Sequence, residues 1–234
     1  MNLRAGIIAA GDGARLKDSH PKLIKPMIPV AGVPLCHWVA AALRAAGVTE
    51  LTVLLNSRGG EARQSLKTAF PEVKWTFLMK DTASSWESFR LVAQTLAQGG
   101  PDFLLSTVDC LIPPEEARRF AQEARRMAPS AALALTTFVD DEKPLWADLD
   151  ASGAVIALGD AARRKEHATA GLYYLTAAVA AVMPAAQAHG SLREYLAALV
   201  RQGSVTGIPL SKTLDVDRPE DVRQAEEFVT WSPA

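Results

Sequence analysis

Between Ile8 and Leu35 the chain reads IAAGDGARLKDSHPKLIKPMIPVAGVPL, a stretch dense in residue types that handle phosphate. Gly11, Asp12 and Gly13 interrupt an apolar run, and glycine permits backbone angles and close ligand approach that a Cβ would block. Arg15, Lys17, Lys22 and Lys25 follow, within a segment from Leu16 to Met27 that has neither helical nor strand period. Backbone N–H groups and point charges at a turn suit a polyphosphate. A solvated basic loop is the plain alternative, because a short glycine motif alone does not decide the matter. One phosphate-binding pattern is disfavoured by spacing and another is absent. The dinucleotide fingerprint needs a third glycine opening a helix, and here Leu16 and Lys17 follow instead. A Walker A loop needs Gly-Lys-Ser/Thr, which is absent.

A carboxylate at Asp109 comes next in chemical interest. It lies just past the apolar run FLLSTV, where a hard oxygen ligand could hold a Mg²⁺ ion shared with substrate phosphates. A turn or capping aspartate explains it equally well at this stage. Near the end, Asp215 and Asp217 sit at alternate positions, which share one face of an extended segment. Pro219, Glu220 and Asp221 follow as the first turn of a helix, so Asp221 reads mainly as a capping residue.

The elements that must position these groups alternate along the chain. Apolar strands are expected at Ala5 to Ala10, Leu51 to Leu55, Trp75 to Met79, Phe103 to Thr107 and Ala131 to Thr137. Helices are expected at Pro34 to Ala46, Glu61 to Phe70, Ser85 to Ala97 and Pro114 to Met127. This rhythm predicts an α/β fold with a mostly parallel sheet covered by helices on both faces. Ligands of such sheets bind beyond the carboxyl ends of the strands, where the Gly11–Gly13 loop falls. After Phe138 the rhythm changes to two short strands around Asp150–Gly153, a strand at Gly171 to Leu175, a helix at Ser191 to Gln202, a strand at Val205 to Leu210 and a helix at Pro219 to Val229.

The totals bound the reading. The 234 residues predict one domain across 1–234, and 25 Lys plus Arg against 26 Asp plus Glu give no global field for nucleic acid or a membrane. A hydrophobic share of 49% with 22% charged residues is ordinary for a globular protein. Cys36 and Cys110 have no metal-ligand spacing and are expected reduced, which with the lack of a signal segment or an apolar run of roughly 18 residues predicts a cytoplasmic protein.

The long motif resembles a known family. Gly11, Gly13 and Arg15, followed by Lys25, Pro26, Pro29, Val30, Gly32, Pro34 and Leu35, are similar to the signature of nucleotidyltransferases that activate sugar phosphates and related acceptors. Ile24 stands where that family usually has proline; Pro21-Lys22 offers a second proline–lysine pair, which leaves Lys22 as the alternative to Lys25. Leu214–Asp221 resembles the family's closing D-x-x-x-P-E-D motif. The resemblance implies a Rossmann-like, GT-A-like nucleotidyltransferase fold and a Mg²⁺ ion held by Asp109 with Asp215 or Asp217. It implies that backbone from Ala9 and Ala10 through Gly11, Asp12 and Gly13 holds the triphosphate, with Arg15 on its outer phosphates and Lys25 at the reacting phosphorus. Ser84 or Ser85 would contact base or ribose, and Lys165, shortly before AGLYYL, would meet the acceptor phosphate.

The partners implied are an NTP and a small phosphorylated acceptor. A sugar 1-phosphate comes first, with phosphocholine-like and molybdopterin-type acceptors open. The rivals are a glycosyltransferase, which would want a D-x-D pair where Val108-Asp109-Cys110 stands, and a nucleotide-binding homologue without catalysis.

Overall fold

The computed structural model describes residues 3–17, 19–100, 102–138, 143–203 and 205–230. The first half alternates as expected: β1 (Leu3–Ala9), two short strands β2 (Pro29–Val30) and β3 (Val33–Pro34), then α1 (Leu35–Ala45), β4 (Val48–Leu55), α2 (Gly60–Ala69), β5 (Lys74–Met79), α3 (Ser85–Ala97) and β6 (Asp102–Thr107). The short β7 (Cys110–Leu111) leads into α4 (Pro114–Met127) and β8 (Ala131–Thr136). A hairpin of β9 (Trp146–Leu149) and β10 (Val155–Leu158) precedes the long β11 (His167–Thr176) and the short α5 (Ala177–Ala181). The chain then forms α6 (Leu192–Arg201), β12 (Val205–Leu210), β13 (Leu214–Asp215) and α7 (Pro219–Phe228).

The central sheet runs β5-β4-β1-β6-β11-β8-β12, with the β9–β10 hairpin on the end of β11. The pairs β4–β5, β1–β4, β1–β6 and β8–β12 are parallel. Alternating β1 side chains enter different cores: Leu3, Ala5, Ile7 and Ala9 pack with α1, α2 and α4, whereas Ile8 packs on the side of α3 and α6. A strand buried on both faces explains the continuous apolar run in the sequence. Helices therefore cover both faces, as the alternation implied.

One strand departs from the parallel expectation. β11 inserts antiparallel between β6 and β8. The chain enters β11 from the β9–β10 hairpin, and β11 pairs antiparallel with β9 as well as with β6 and β8. Register slips between Thr169 and Tyr173, around Gly171. Gly171 has φ +65°, and a Cβ there would lie 2.6 Å from Thr107 Oγ1 and 2.7 Å from Cys110 Cβ. Those two residues bracket Asp109 in sequence, so this glycine lets β11 pack closely against the turn that carries the carboxylate. Gly171→Ala is expected to destabilise the protein by about 2–4 kcal/mol, from left-handed strain plus overpacking. Urea denaturation checks this, and a loss below about 0.5 kcal/mol would show that the close approach is not required.

Candidate active site

The carboxyl ends of β1, β4, β5 and β6 open onto one cleft of ≈ 670 Å³. From β1 come Ala10, Gly11, Asp12, Gly13 and Arg15, from β4 Ser57 and Arg58, from β5 Asp81 and Thr82, and from β6 Thr107 and Asp109. Ala9 is the last residue of β1 and is buried beneath this loop. Gly13 adopts φ +58°, and a Cβ there would sit 2.9 Å from the Cβ of Lys25. The glycine thus lets the loop turn against the segment that carries the lysine. Gly13→Ala is expected to weaken nucleotide binding by at least about tenfold, because left-handed strain of about 1–2 kcal/mol acts on the loop itself. A fluorescence titration with nucleotide checks this, and affinity within twofold of wild type would contradict it.

Lys25 begins a short 3₁₀ turn, Lys25–Met27, in which Pro26 favours the required backbone angle. Its side chain is 8% exposed, and its ammonium donates to Asp109 Oδ2 at 2.6 Å and to Asp217 Oδ1. Lys22 is exposed and does not line the cleft. Burial alone would disfavour the ammonium, but the charges and hydrogen bonds of Asp109 and Asp217 outweigh it and hold the pKa above the ordinary lysine value. Asp109 shows the converse. Burial pushes its carboxyl up, while Lys25 and the Thr107 hydroxyl pull it further down, below the usual carboxylate range.

Asp217 reaches this cluster from the far end of the chain through a small pairing. β13 lies antiparallel to β7, with Asp215 opposite Cys110, and Val216 N–H donates to the Asp109 carbonyl at 3.0 Å. Asp221 then accepts from the N–H groups of Asp217 and Arg218 at 2.9 and 2.8 Å, capping α7 and fixing the turn. Arg15 Nη1 lies 3.8 Å from Asp217 Oδ2 and is largely exposed in the cleft.

Asp109, Asp215 and Asp217 bring three carboxylates to the border of one adjoining hollow. Asp215 is open to this hollow, yet it sits deep among protein atoms. Its carboxyl is pushed up to about 7, first by burial and then by Asp109 and Asp217. The Lys25 ammonium compensates Asp109 and Asp217 in the same cluster. Among the described residues no three His, Cys, Asp or Glu side chains enclose a metal by themselves.

The other expected residues separate. Ser84 caps α3, accepting from Glu87 N–H at 3.1 Å, and Ser85 accepts from Leu192 N–H at 2.9 Å; both still line the cleft. Lys165 is exposed, with φ +53°, and lines neither the cleft nor the adjoining hollow. Arg58 and Asp81 were not anticipated. Arg58 pairs with Asp12 at 3.1 Å, offsetting a carboxylate in the phosphate loop, and Asp81 accepts from Ser57 N–H at 2.9 Å. Their signal was position: both follow strands whose carboxyl ends had already been assigned to the ligand side.

The two cysteines are buried and free, and no described helix is long and apolar enough to cross a membrane. Solved structures share the fold at low sequence identity. A putative glucose-1-phosphate thymidylyltransferase from Bacillus anthracis superposes with a TM-score of 0.85 at 16% identity, covering 98% of this chain and 97% of that one. The inositol-1-phosphate CTP transferase from T. maritima gives 0.79 at 17%, with 98% of each chain covered. Among curated proteins, the glucose-1-phosphate thymidylyltransferase of Streptomyces antibioticus is 24% identical over 187 residues, 76% of this chain and 50% of that protein. The CMP-5'-(3-aminopropyl)phosphonate synthase of Streptomyces rubellomurinus is 27% identical over 172 residues, 65% of this chain and 27% of that protein. This chain therefore spans half or less of the length of these curated relatives. Residues 5–203 match the MobA-like NTP transferase domain, and that match takes in the glycine loop, Arg15, Lys25 and Asp109. The chain belongs to the MobA-like NTP transferase family, a family of nucleotidyltransferases.

Proposed function

We propose that the protein transfers an NMP unit from an NTP to a small phosphorylated acceptor, releasing pyrophosphate. The observation that carries this reading is the Lys25 ammonium buried between Asp109 and Asp217, at the edge where the glycine loop and Arg15 open into one cleft. An acceptor phosphate oxygen attacks the α-phosphorus, the bond from that phosphorus to the bridging oxygen breaks, and the electron pair leaves with pyrophosphate. No side chain needs to become covalently bound. Catalysis then rests on orientation and on charges fixed before the reaction begins.

The residues divide this work. Backbone around Ala10 to Gly13 cradles the triphosphate, and the planar fork of Arg15 binds its outer phosphates. Lys25, held cationic by its two carboxylates, stabilises charge building at the α-phosphate. Asp109 and Asp217 orient Lys25 and are the residues that would hold Mg²⁺, with Asp215 beside them. Bound there, Mg²⁺ supplies charge neutralisation between the two reacting anions. Asp217 is favoured over Asp215 as the second ligand because it lines the nucleotide cleft together with Asp109. Ser84, Ser85, Thr82 and Asp81 line the same cleft and are the residues that would contact base and ribose.

A sugar 1-phosphate is the first acceptor to test, supported by the names of the thymidylyltransferase relatives. The deciding assay measures pyrophosphate release with Mg²⁺, pairing the four NTPs with sugar 1-phosphates and phosphocholine. Release with one pair is expected. Nucleotide binding without release across acceptors of every class, molybdopterin-type included, would replace catalysis with a nucleotide-binding role. Failure of every NTP to bind would remove the reading altogether.

A further inference from the structure

Asp109 and Asp217 border a second hollow, of ≈ 210 Å³, which also contains Asp215. Leu145, Leu192, Leu196 and Tyr173 form an apolar part of its otherwise polar wall. The glycine loop and Arg15 line only the nucleotide cleft, so this hollow is the approach left for the acceptor. That approach has an electrostatic problem. A phosphate monoester carries close to two negative charges, and three carboxylates face it.

Lys25 and a Mg²⁺ ion held by the aspartates would offset the carboxylates themselves, which still leaves the acceptor phosphate to find a cation of its own. The charge of Lys25 is committed to Asp109 and Asp217, and Arg15 lies on the triphosphate side. Lys165 does not reach the hollow. Among the described residues lining it, Arg193 is the one cation. Arg193 stands in the first turn of α6, and the fold holds that turn in place: Leu192 N–H donates to Ser85 Oγ at 2.9 Å, and Arg193 Nη2 donates to the Lys143 carbonyl. Arg193, Tyr173 and the three carboxylates line the same hollow.

We propose that Arg193 is the acceptor-binding residue that holds a non-reacting phosphate oxygen, in the role the sequence had suggested for Lys165. This deepens the nucleotidyltransferase reading and rests on it. The guanidinium fork offers two parallel donors to the phosphate, while the leucine wall takes up the carbon skeleton. Reach and charge are thus supplied from α6, on the side opposite Arg15.

The test titrates methyl phosphate, followed by ³¹P NMR, into the full chain loaded with Mg²⁺ and α,β-methylene analogues of the four NTPs. Wild type is expected to bind methyl phosphate saturably. Arg193→Gln should weaken that binding by about tenfold or more, and Arg193→Lys should recover part of it, since a point charge replaces a fork. Analogue affinity should stay within twofold in both variants, with melting temperatures near wild type. A purely structural tie to Lys143 would instead lower the melting temperature and leave methyl phosphate affinity in the folded fraction unchanged. Equal methyl phosphate affinity in wild type and Arg193→Gln overturns the assignment, as does absence of saturable binding to the loaded wild type. If no analogue loads, the nucleotidyltransferase reading itself fails and the assignment falls with it.

Discussion

Lys25→Met should reduce turnover by at least about 10²–10³-fold while nucleotide affinity changes by less than about tenfold. The argument rests on where the charge sits. Lys25 is 8% exposed, and its ammonium is fixed by Asp109 and Asp217 before any substrate arrives. Methionine keeps the length and apolar stem of the side chain, so packing around Ile24 and Pro26 survives. What disappears is a preorganised cation at the point where negative charge increases during the reaction. Such a contribution is made mainly in the transition state, so it lowers kcat rather than raising the nucleotide KM. Lys25→Arg should fail almost as badly. The slot between the two carboxylates accepts a single nitrogen, and a branched guanidinium displaces one of them. Removing the cation also leaves Asp109 without its partner, at a stability cost of about 1–3 kcal/mol, moderated because Asp217 is 40% exposed. Steady-state pyrophosphate release with matched nucleotide titrations measures the effect. Turnover within threefold of wild type in Lys25→Met would exclude Lys25 from catalysis.

The sequence made some of this site legible and hid the rest for identifiable reasons. The glycine loop, Arg15 and Lys25 lie within one short stretch, so covalent spacing alone keeps them together. The ends of α3, α4 and β12 were readable because serine and proline caps and apolar runs mark them locally. The meeting of Asp109 with Asp217 was open only through the resemblance to a family, since β7 and β13 are two residues each and carry no period. The antiparallel β11 was hidden because an apolar strand reads the same in either direction. Its core-facing residues, including Leu172 and Tyr174, look like any buried strand. Lys165 looked suitable by linear distance from the AGLYYL strand, but β11 begins at His167, and the exposed loop before it carries Lys165 outside the cavity. Arg193 was invisible for the opposite reason. On an amphipathic helix a charged residue reads as solvated, and only the packing of α6 beside β11 and α3 shows that it borders a cavity.

Asp109→Asn is expected to lower kcat/KM by about 10³-fold or more and to raise the Mg²⁺ concentration needed for half-maximal activity. The substitution keeps shape and volume but removes one negative charge and replaces an acceptor oxygen with an N–H₂ donor. A metal ion stabilising transition-state charge is worth several kcal/mol, and each 1.36 kcal/mol is tenfold in rate, which sets the scale. Asp109 should be the most sensitive of the three aspartates for a geometric reason. It follows β6 at the middle of the sheet, borders both the nucleotide cleft and the acceptor hollow, and contacts Lys25. Asp217 also borders both cavities and contacts Lys25, but it follows the short β13 rather than β6 and is more exposed, so water can replace part of its role, and Asp217→Asn should lose about tenfold less. Asp215 borders the hollow but not the nucleotide cleft and forms no salt bridge with Lys25, so Asp215→Asn should be milder still and should act chiefly on acceptor KM. Mg²⁺ titrations of activity, with calorimetry of metal binding to the nucleotide complex, separate the three. An order in which Asp215→Asn is the most damaging would move the metal from the cleft into the acceptor hollow. It would also mean that Asp109 serves Lys25 rather than the ion.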